Sequence, residues 1–316
     1  MSNLYIAAQD GIHTYSCTQD GTLSFVGLLP LDASVSIAVN GGRLFALTDG
    51  ECAYSAVVPV WIDTWGLPTD PCPSVSLGER HCCHFTVSND LIFAVSSSAK
   101  SISVLPLDGT EGTHHTLPET AYAGVPRPQW IASIQGTPYV AVCDPGCDCI
   151  SVYDHALHPV SICRLDEGCG PRALCFSADG TYAYCICSQS SEIAVLRWDD
   201  GAASFAQRKA LSLPGCTSHV QDGIPSEICT DGAFVYVGCA DAIAVLRITD
   251  GDATLCAHAR IPVSNTANAV AVSEDLLFSV HTQDHTLRVM RMSQDRTSAA
   301  PIAAEVLPYP TSILCV

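Results

Sequence analysis

Short apolar runs, each with an aromatic near its middle, recur along the chain: LYIAA (4–8), RLFAL (43–47), LIFAV (91–95), PYVAV (138–142), AYCIC (183–187), FVYVG (234–238) and LLFSV (276–280). Their aromatics are Tyr5, Phe45, Phe93, Tyr139, Tyr184, Tyr236 and Phe278, and neighbouring copies lie 40 to 52 residues apart. Runs this short, bounded by polar turns, read as strands, and their recurrence marks a repeat. A second run follows most copies, as in GIHTY (11–15), SISVLPL (101–107), CISVYD (149–154), EIAVLRW (192–198), AIAVLRI (242–248) and TLRVMRM (286–292), with ECAYSAVV (51–58) filling the remaining slot. A weaker third run comes next, for instance LSFVGLL (23–29), PVSICRL (159–165) or LCAHARI (255–261).

Six copies are also preceded by a strand: SVSIAV (34–39), CCHFTV (82–87), QWIASI (129–134), RALCFS (172–177), SEICT (226–230) and NAVAVS (268–273). The first copy has none, and TSILCV (311–316) at the end of the chain is the piece it lacks. Four strands per unit, seven units and a C-terminal strand completing the first unit predict an all-β fold. It is a single seven-bladed β-propeller over residues 1–316, with four-stranded antiparallel blades. Two separate β-sandwiches would leave the match between TSILCV and the incomplete first unit unexplained. Long amphipathic helical patterns are absent, and no apolar run approaches a membrane span.

Composition narrows the partners. The formal net charge is −18, from 14 Lys+Arg against 32 Asp+Glu, which disfavours nucleic acid as a partner. An anionic small molecule stays compatible where the few arginines converge. The N-terminus MSNLYIAAQDG carries no signal-peptide pattern, so the expectation is a cytoplasmic protein, with no membrane partner and no specified oligomeric state. Eighteen cysteines then read as reduced thiols, most of them taking the place of a small apolar residue in a strand. CDPGCDC (143–149) and HCCH (81–84) lack the paired spacing of structural zinc sites, so neither a metal nor another cofactor is expected.

In a propeller the first strand of each blade lines the central channel, and the starts of these strands share a face with the ends of the second strands. That topology brings together Cys83 and His84, Gln129 and Trp130, Arg172, Ser226 and Glu227, Asn268, and Thr311 and Ser312. From the second-strand ends it adds Asp49, Ser96, Asp144, Ser188, Ala240 and His281. Arg80 and Arg127 sit just before two first strands, so they and Arg172 are expected at one mouth, where low-dielectric walls strengthen their pull on an anion. Bland alternatives stand beside this. Arg172 could form a structural ion pair with Glu227 or Asp144, His84 could be a satisfied core histidine, and Glu227 could be solvated.

The stretch GCGPRALCFSADGTYAYCICSQSSEIAVLRWDDG (168–201) resembles the seven-bladed propeller lactonase family, which includes 6-phosphogluconolactonases and 3-carboxy-cis,cis-muconate cyclases. IPSEICTDGAFVYVGCADAIAVLRI (224–248) is similar to the family's following blade. CCHFTV with SISVLPLDG is similar to its Cys-His blade, and VCDPGCDCISVYD to its Pro-Asp-Leu-Gly blade. The resemblance implies a lactone-opening or lactone-closing reaction on an anionic substrate. Arg172, helped by Arg127 or Arg80, would hold the phosphate or carboxylate, with Asp144 and Asn268 also in the substrate site. Glu227 or His84 would activate water or move the proton.

Several positions depart from the family pattern. Ala173 stands where a His follows the Gly-Pro-Arg arginine, Cys187 and Ser188 stand for Asn-Glu, and Cys239 and Ala240 for Asn-Arg. Gln129 and Trp130 stand near a His-Ala-His segment, and Asn268 takes the place of an arginine. Three readings follow: a 6-phosphogluconolactonase-like hydrolase, a cyclase or isomerase on a carboxylated lactone, and a propeller that binds a ligand or protein without catalysis.

Overall fold

A computed structural model describes residues 2–32, 34–49, 54–117, 124–213, 227–249 and 254–316. Seven antiparallel sheets follow one another along the chain, six of four strands and one of five. The first blade pairs the C-terminal strand Ser312–Cys315 with Ser2–Ala8, followed by Gly11–Cys17 and Leu23–Pro30. Leu4 faces Cys315 and Ala7 faces Ser312, so the end of the chain closes the ring as its sequence predicts. Among the described residues there is no helix, and hence none long and apolar enough to cross a membrane.

Local chemistry sets the hairpins. Asn89 and Asp90 both take positive φ (49° and 60°) between Cys82–Ser88 and Leu91–Ser96, a turn whose twist matches the flanking strands. In the SADG turn the Ser177 hydroxyl donates to Asp179 at 2.6 Å, and Gly180 at φ 71° returns the chain into Tyr182–Cys187.

The recurrent aromatics have one job. Buried side chains form seven clusters, one between each pair of neighbouring blades. Each aromatic enters a different one. Tyr5 joins the first blade to the second, Phe45 the second to the third, Phe93 the third to the fourth, and Tyr139 packs between the fourth and fifth. Tyr184, Tyr236 and Phe278 continue the ring back to the first blade.

The second blade differs from expectation. Its third strand is Ala56–Ile62, AVVPVWI, rather than ECAYSAVV, of which residues 51–53 lie outside the described ones. Pro59 cannot donate to a ladder, and opposite it the outer edge splits into Pro68–Pro71 and Val75–Ser76. Among the described residues fifteen cysteines are free thiols, most of them buried. Cys239 departs from the expectation of reduced thiols, being held in a disulfide.

Phe278→Ala is expected to lower the unfolding free energy by about 3–5 kcal/mol, because it empties a fully buried site between the last and first blades. Val306→Ala, at 79% exposure on the outer edge, is expected to stay within about 0.5 kcal/mol. Urea unfolding of both variants checks this, and comparable losses would overturn the assignment of the core to the blade interfaces.

Candidate functional site

A cavity of about 310 Å³ opens at the centre of the ring, and every blade contributes to its wall. Thr311 and Ser312 come from the first blade, Val35 and Ser36 from the second, and Cys83, His84 and Ser97 from the third. Gln129 and Trp130, Arg172, Glu227, and Asn268 with Thr282 complete the circuit through the fourth to seventh blades. The sequence expectation covered most of these, apart from Val35, Ser36, Ser97 and Thr282. The strand-start rule, applied to SVSIAV, would have found the second-blade pair. Ser226 lies outside the described residues.

The ladder registers explain how Arg172 comes to face the cavity. In the fifth blade Pro171 pairs with Cys187 and Ala173 with Ile186, which leaves Arg172 as the extra residue of a β-bulge. Cys83 is the extra residue in the third blade, between Cys82 paired to Ser96 and His84 paired to Val95. Val35 holds the same place in the second blade. A bulge breaks the strict in–out alternation of a strand and re-aims a side chain, and all three extra residues line the cavity. Gly170 prepares the turn into this strand. Its φ is 63°, and a Cβ there would meet the Gln189 side chain at 2.6 Å.

Arg172 is half-buried, and burial, which penalises its charge, lowers the pKa of its guanidinium; the nearby Cys83 and Glu227 act in the opposite direction. Among the described residues it makes no ion pair within 4 Å and no hydrogen bond, so neither structural pairing considered from the sequence is formed. Glu227 accepts the Gly238 N–H on its backbone carbonyl at 3.0 Å, but its carboxyl has no hydrogen-bond partner among the described residues. Desolvation pushes its carboxyl up to about 8, against the opposing pull of Arg172, so at neutral pH it is mostly protonated. A guanidinium and a carboxyl close enough to feel each other, neither partnered by a described residue, leave both groups able to serve a ligand.

His84 is built into the wall. Its ring stacks on Trp130 with centroids 3.6 Å apart, and its Nδ1 accepts the Ile131 backbone N–H at 3.4 Å. That acceptor role puts the proton of the neutral ring on Nε2, and burial holds its pKa down at about 3. His84 is therefore a neutral donor rather than a strong base. The Cys83 thiol donates towards the carbonyls of Val95 and Pro128 at 3.5 Å, and burial raises its pKa. The Asn268 Oδ1 accepts the Thr282 N–H at 2.8 Å, which leaves its amide NH₂ to the cavity side.

Three sequence candidates do not line the cavity. Arg127 and Arg80 are exposed in the loops that precede their blades, Arg80 lying 6.0 Å from the Tyr54 ring centroid. Asp144 is buried and clips its own blade. One oxygen accepts the N–H groups of Arg127 and Gly146, both at 2.9 Å, and burial raises its pKa. Other second-strand ends do the same work: Ser96 donates to Arg80 O, Ser188 to Gly170 O, and His281 Nδ1–H to Asn265 O. These side chains turn back onto the loop entering their own blade, which is why the expectation that they face the channel fails. HCCH is likewise divided, with His81 on Asp49 and Cys82 buried, and among the described residues no group of three or more His, Cys, Asp or Glu could hold a metal ion.

The family model described as Lactonase, 7-bladed beta-propeller matches residues 3–315. The chain belongs to this family. A 6-phosphogluconolactonase of Pectobacterium atrosepticum is 22% identical over 95% of this chain and 94% of its own length. A shorter segment is 29% identical to an uncharacterized protein of Lactococcus lactis, spanning 35% of this chain and 34% of that one. Among solved structures, the Pseudomonas aeruginosa periplasmic gluconolactonase PpgL has a TM-score of 0.84 at 19% identity, covering 100% of this chain and 99% of that one. A Bacteroides fragilis protein reaches a TM-score of 0.87 at 15% identity, over 100% and 98% of the two chains. At these identities the structural likeness speaks for the fold alone.

The two shifted groups set opposite pH dependences of stability. The Glu227 pKa is raised from an ordinary 4.5 to about 8, so its favourable contribution is complete below 4.5 and is lost as pH rises through 8. The His84 pKa is lowered from 6.5 to about 3, so its contribution is complete above 6.5 and is lost as pH falls towards 3. Glu227→Gln is thus expected to gain Tm relative to the parent between pH 5 and 9, and His84→Phe between pH 6.5 and 4. Thermal melts across that range check both, and a Tm difference independent of pH would remove Glu227 or His84 from the buried wall.

Proposed function

We propose that the protein is a lactone hydrolase acting on an anionic sugar lactone in the central cavity. The observation that carries this is the pair Arg172 and Glu227, facing one cavity of ligand size, with neither the guanidinium nor the carboxyl partnered by a described residue. Arg172 holds the anionic group of the substrate. Glu227, in its ionised fraction, takes a proton from water while the water oxygen adds to the lactone carbonyl carbon. The ring C–O bond then breaks and Glu227 returns the proton to the departing ring oxygen. One water is consumed, and the new hydroxy acid releases one proton on ionising. A pKa near 8 suits a group that must both accept and give a proton near neutral pH. His84 and Asn268 line the same wall as neutral hydrogen-bonding groups.

The names of the relatives make 6-phosphogluconolactone the first substrate to assay, and the cytoplasmic reading draws on fifteen free thiols among the described cysteines, set against the one disulfide at Cys239. A second reading, ligand binding without catalysis, draws on the small residues at former family positions: Ala173 is buried in the ladder and Ser188 is spent on Gly170 O.

With spontaneous hydrolysis subtracted, purified protein is expected to open the lactone. Glu227→Gln is expected to lose about 10²–10⁴-fold in kcat, and Arg172→Ala to lose mainly in KM. The parent's kcat/KM is expected to rise with pH until about 8 and then level off. Absence of turnover with a panel of sugar lactones, alongside retained ligand binding, would replace the hydrolase with the binding reading.

A further inference from the structure

We infer that the substrate class of this cavity is a polyhydroxy lactone bearing a single carboxylate, rather than a phosphorylated lactone. The inference rests on the hydrolase reading above and specifies what Arg172 holds.

Among the described residues the wall carries one cation, Arg172. Arg80 and Arg127, the other arginines of that mouth, stay in exposed loops off the lining. His84 is uncharged at neutral pH, and Glu227 adds no positive charge in either state. A phosphate dianion seated on Arg172 would keep one charge without a counter-charge in a cavity that already penalises ionised groups. A carboxylate leaves none, and its two oxygens match the planar guanidinium fork. The chain's net charge of −18 adds a long-range field that opposes a second negative charge further.

The rest of the lining suits hydroxyl groups. Gln129, the Asn268 amide, Thr282, Thr311 and Ser312 are neutral donors or acceptors spread over the fourth, seventh and first blades. The cavity, at about 310 Å³, is at the small end of ligand pockets, which run from about 300 to 1,000 Å³. A six-carbon sugar acid closed as a lactone, with its second carboxyl free, joins these features: one charge for Arg172, hydroxyls for the neutral wall, and a carbonyl for the water that Glu227 activates.

The test compares three lactones on the full-length protein: D-glucaro-1,4-lactone (one carboxylate), 6-phosphogluconolactone (a phosphate) and D-glucono-1,5-lactone (uncharged). The expected result is a kcat/KM for the carboxylated lactone at least tenfold above the other two. Arg172→Ala is expected to abolish that preference, Arg172→Lys to keep part of it, and Arg127→Ala to leave it unchanged. Calorimetric binding of D-glucaro-1,4-lactone and inorganic phosphate to Glu227→Gln separates recognition from chemistry. Arg172-dependent turnover that favours the phosphorylated lactone would overturn the inference and leave the hydrolase reading intact. Arg172-dependent binding of the carboxylated lactone without turnover of any lactone would sustain the ligand class and overturn the hydrolase. Binding of phosphate as tight as that of the carboxylated lactone, or of neither, would overturn the inference.

Discussion

Leu4–Ala7 pair with Ser312–Cys315 across nearly the whole chain, and Thr311, 304 positions from Ala7, adds its own bonds to the Ala7 carbonyl. Without this pairing the first blade would present its second strand as an open edge, and the apolar cluster between the last and first blades would lose Ile313. The seven inter-blade clusters are each modest, but they form a cycle, so every blade is held from both sides. The cavity depends on that cycle because its wall has no continuous element of its own. It is built from strand starts in all seven blades, with Ser97 and Thr282 beside them, kept in register by the packing behind them.

Within this scaffold the bulges decide the chemistry. A regular strand would turn alternate residues inward, and Pro171, Arg172 and Ala173 would take sides by parity. The extra residue at Arg172 breaks that parity at the strand's first turn, so an arginine faces the cavity while Ala173 stays fully buried in the ladder. The same device delivers Cys83 beside His84, two consecutive residues on one wall. Arg172 therefore acts from a position fixed by backbone hydrogen bonds on both sides, rather than from a mobile loop. That is the preorganisation needed to hold an anion at a set distance from a carboxyl.

The ring, its seven aromatics and its closure were legible in the sequence because they obey strong periodic rules: strand period, turn chemistry and blade repeat. The strand starts followed from topology alone. The second-strand ends did not. Whether Asp144 faces a channel or clips a loop depends on two N–H groups, of Arg127 and Gly146, that no pattern of residue types announces. Arg80 and Arg127 show the same limit, since proximity in sequence to a channel strand says nothing of which way an exposed loop residue points. The broken outer edge of the second blade was missed: it follows from Pro59 inside a strand that the sequence reading placed elsewhere.

Burial makes the replacements around Arg172 intelligible together. Each ionisable group placed in this wall shifts towards its neutral form: Glu227 to about 8 and His84 to about 3. A histidine at Ala173 or a glutamate at Ser188 would add another group to be desolvated beside them, with Arg172 as the one cation among the described lining residues to share. Ala173 and Ser188 avoid that competition. The first packs against the neighbouring blade, and the second spends its hydroxyl on Gly170 O, the carbonyl just before the Pro171–Arg172 bulge. Among the described lining residues the wall holds one arginine and one carboxyl, and the hydroxyl of Ser188 fixes the backbone that presents the arginine.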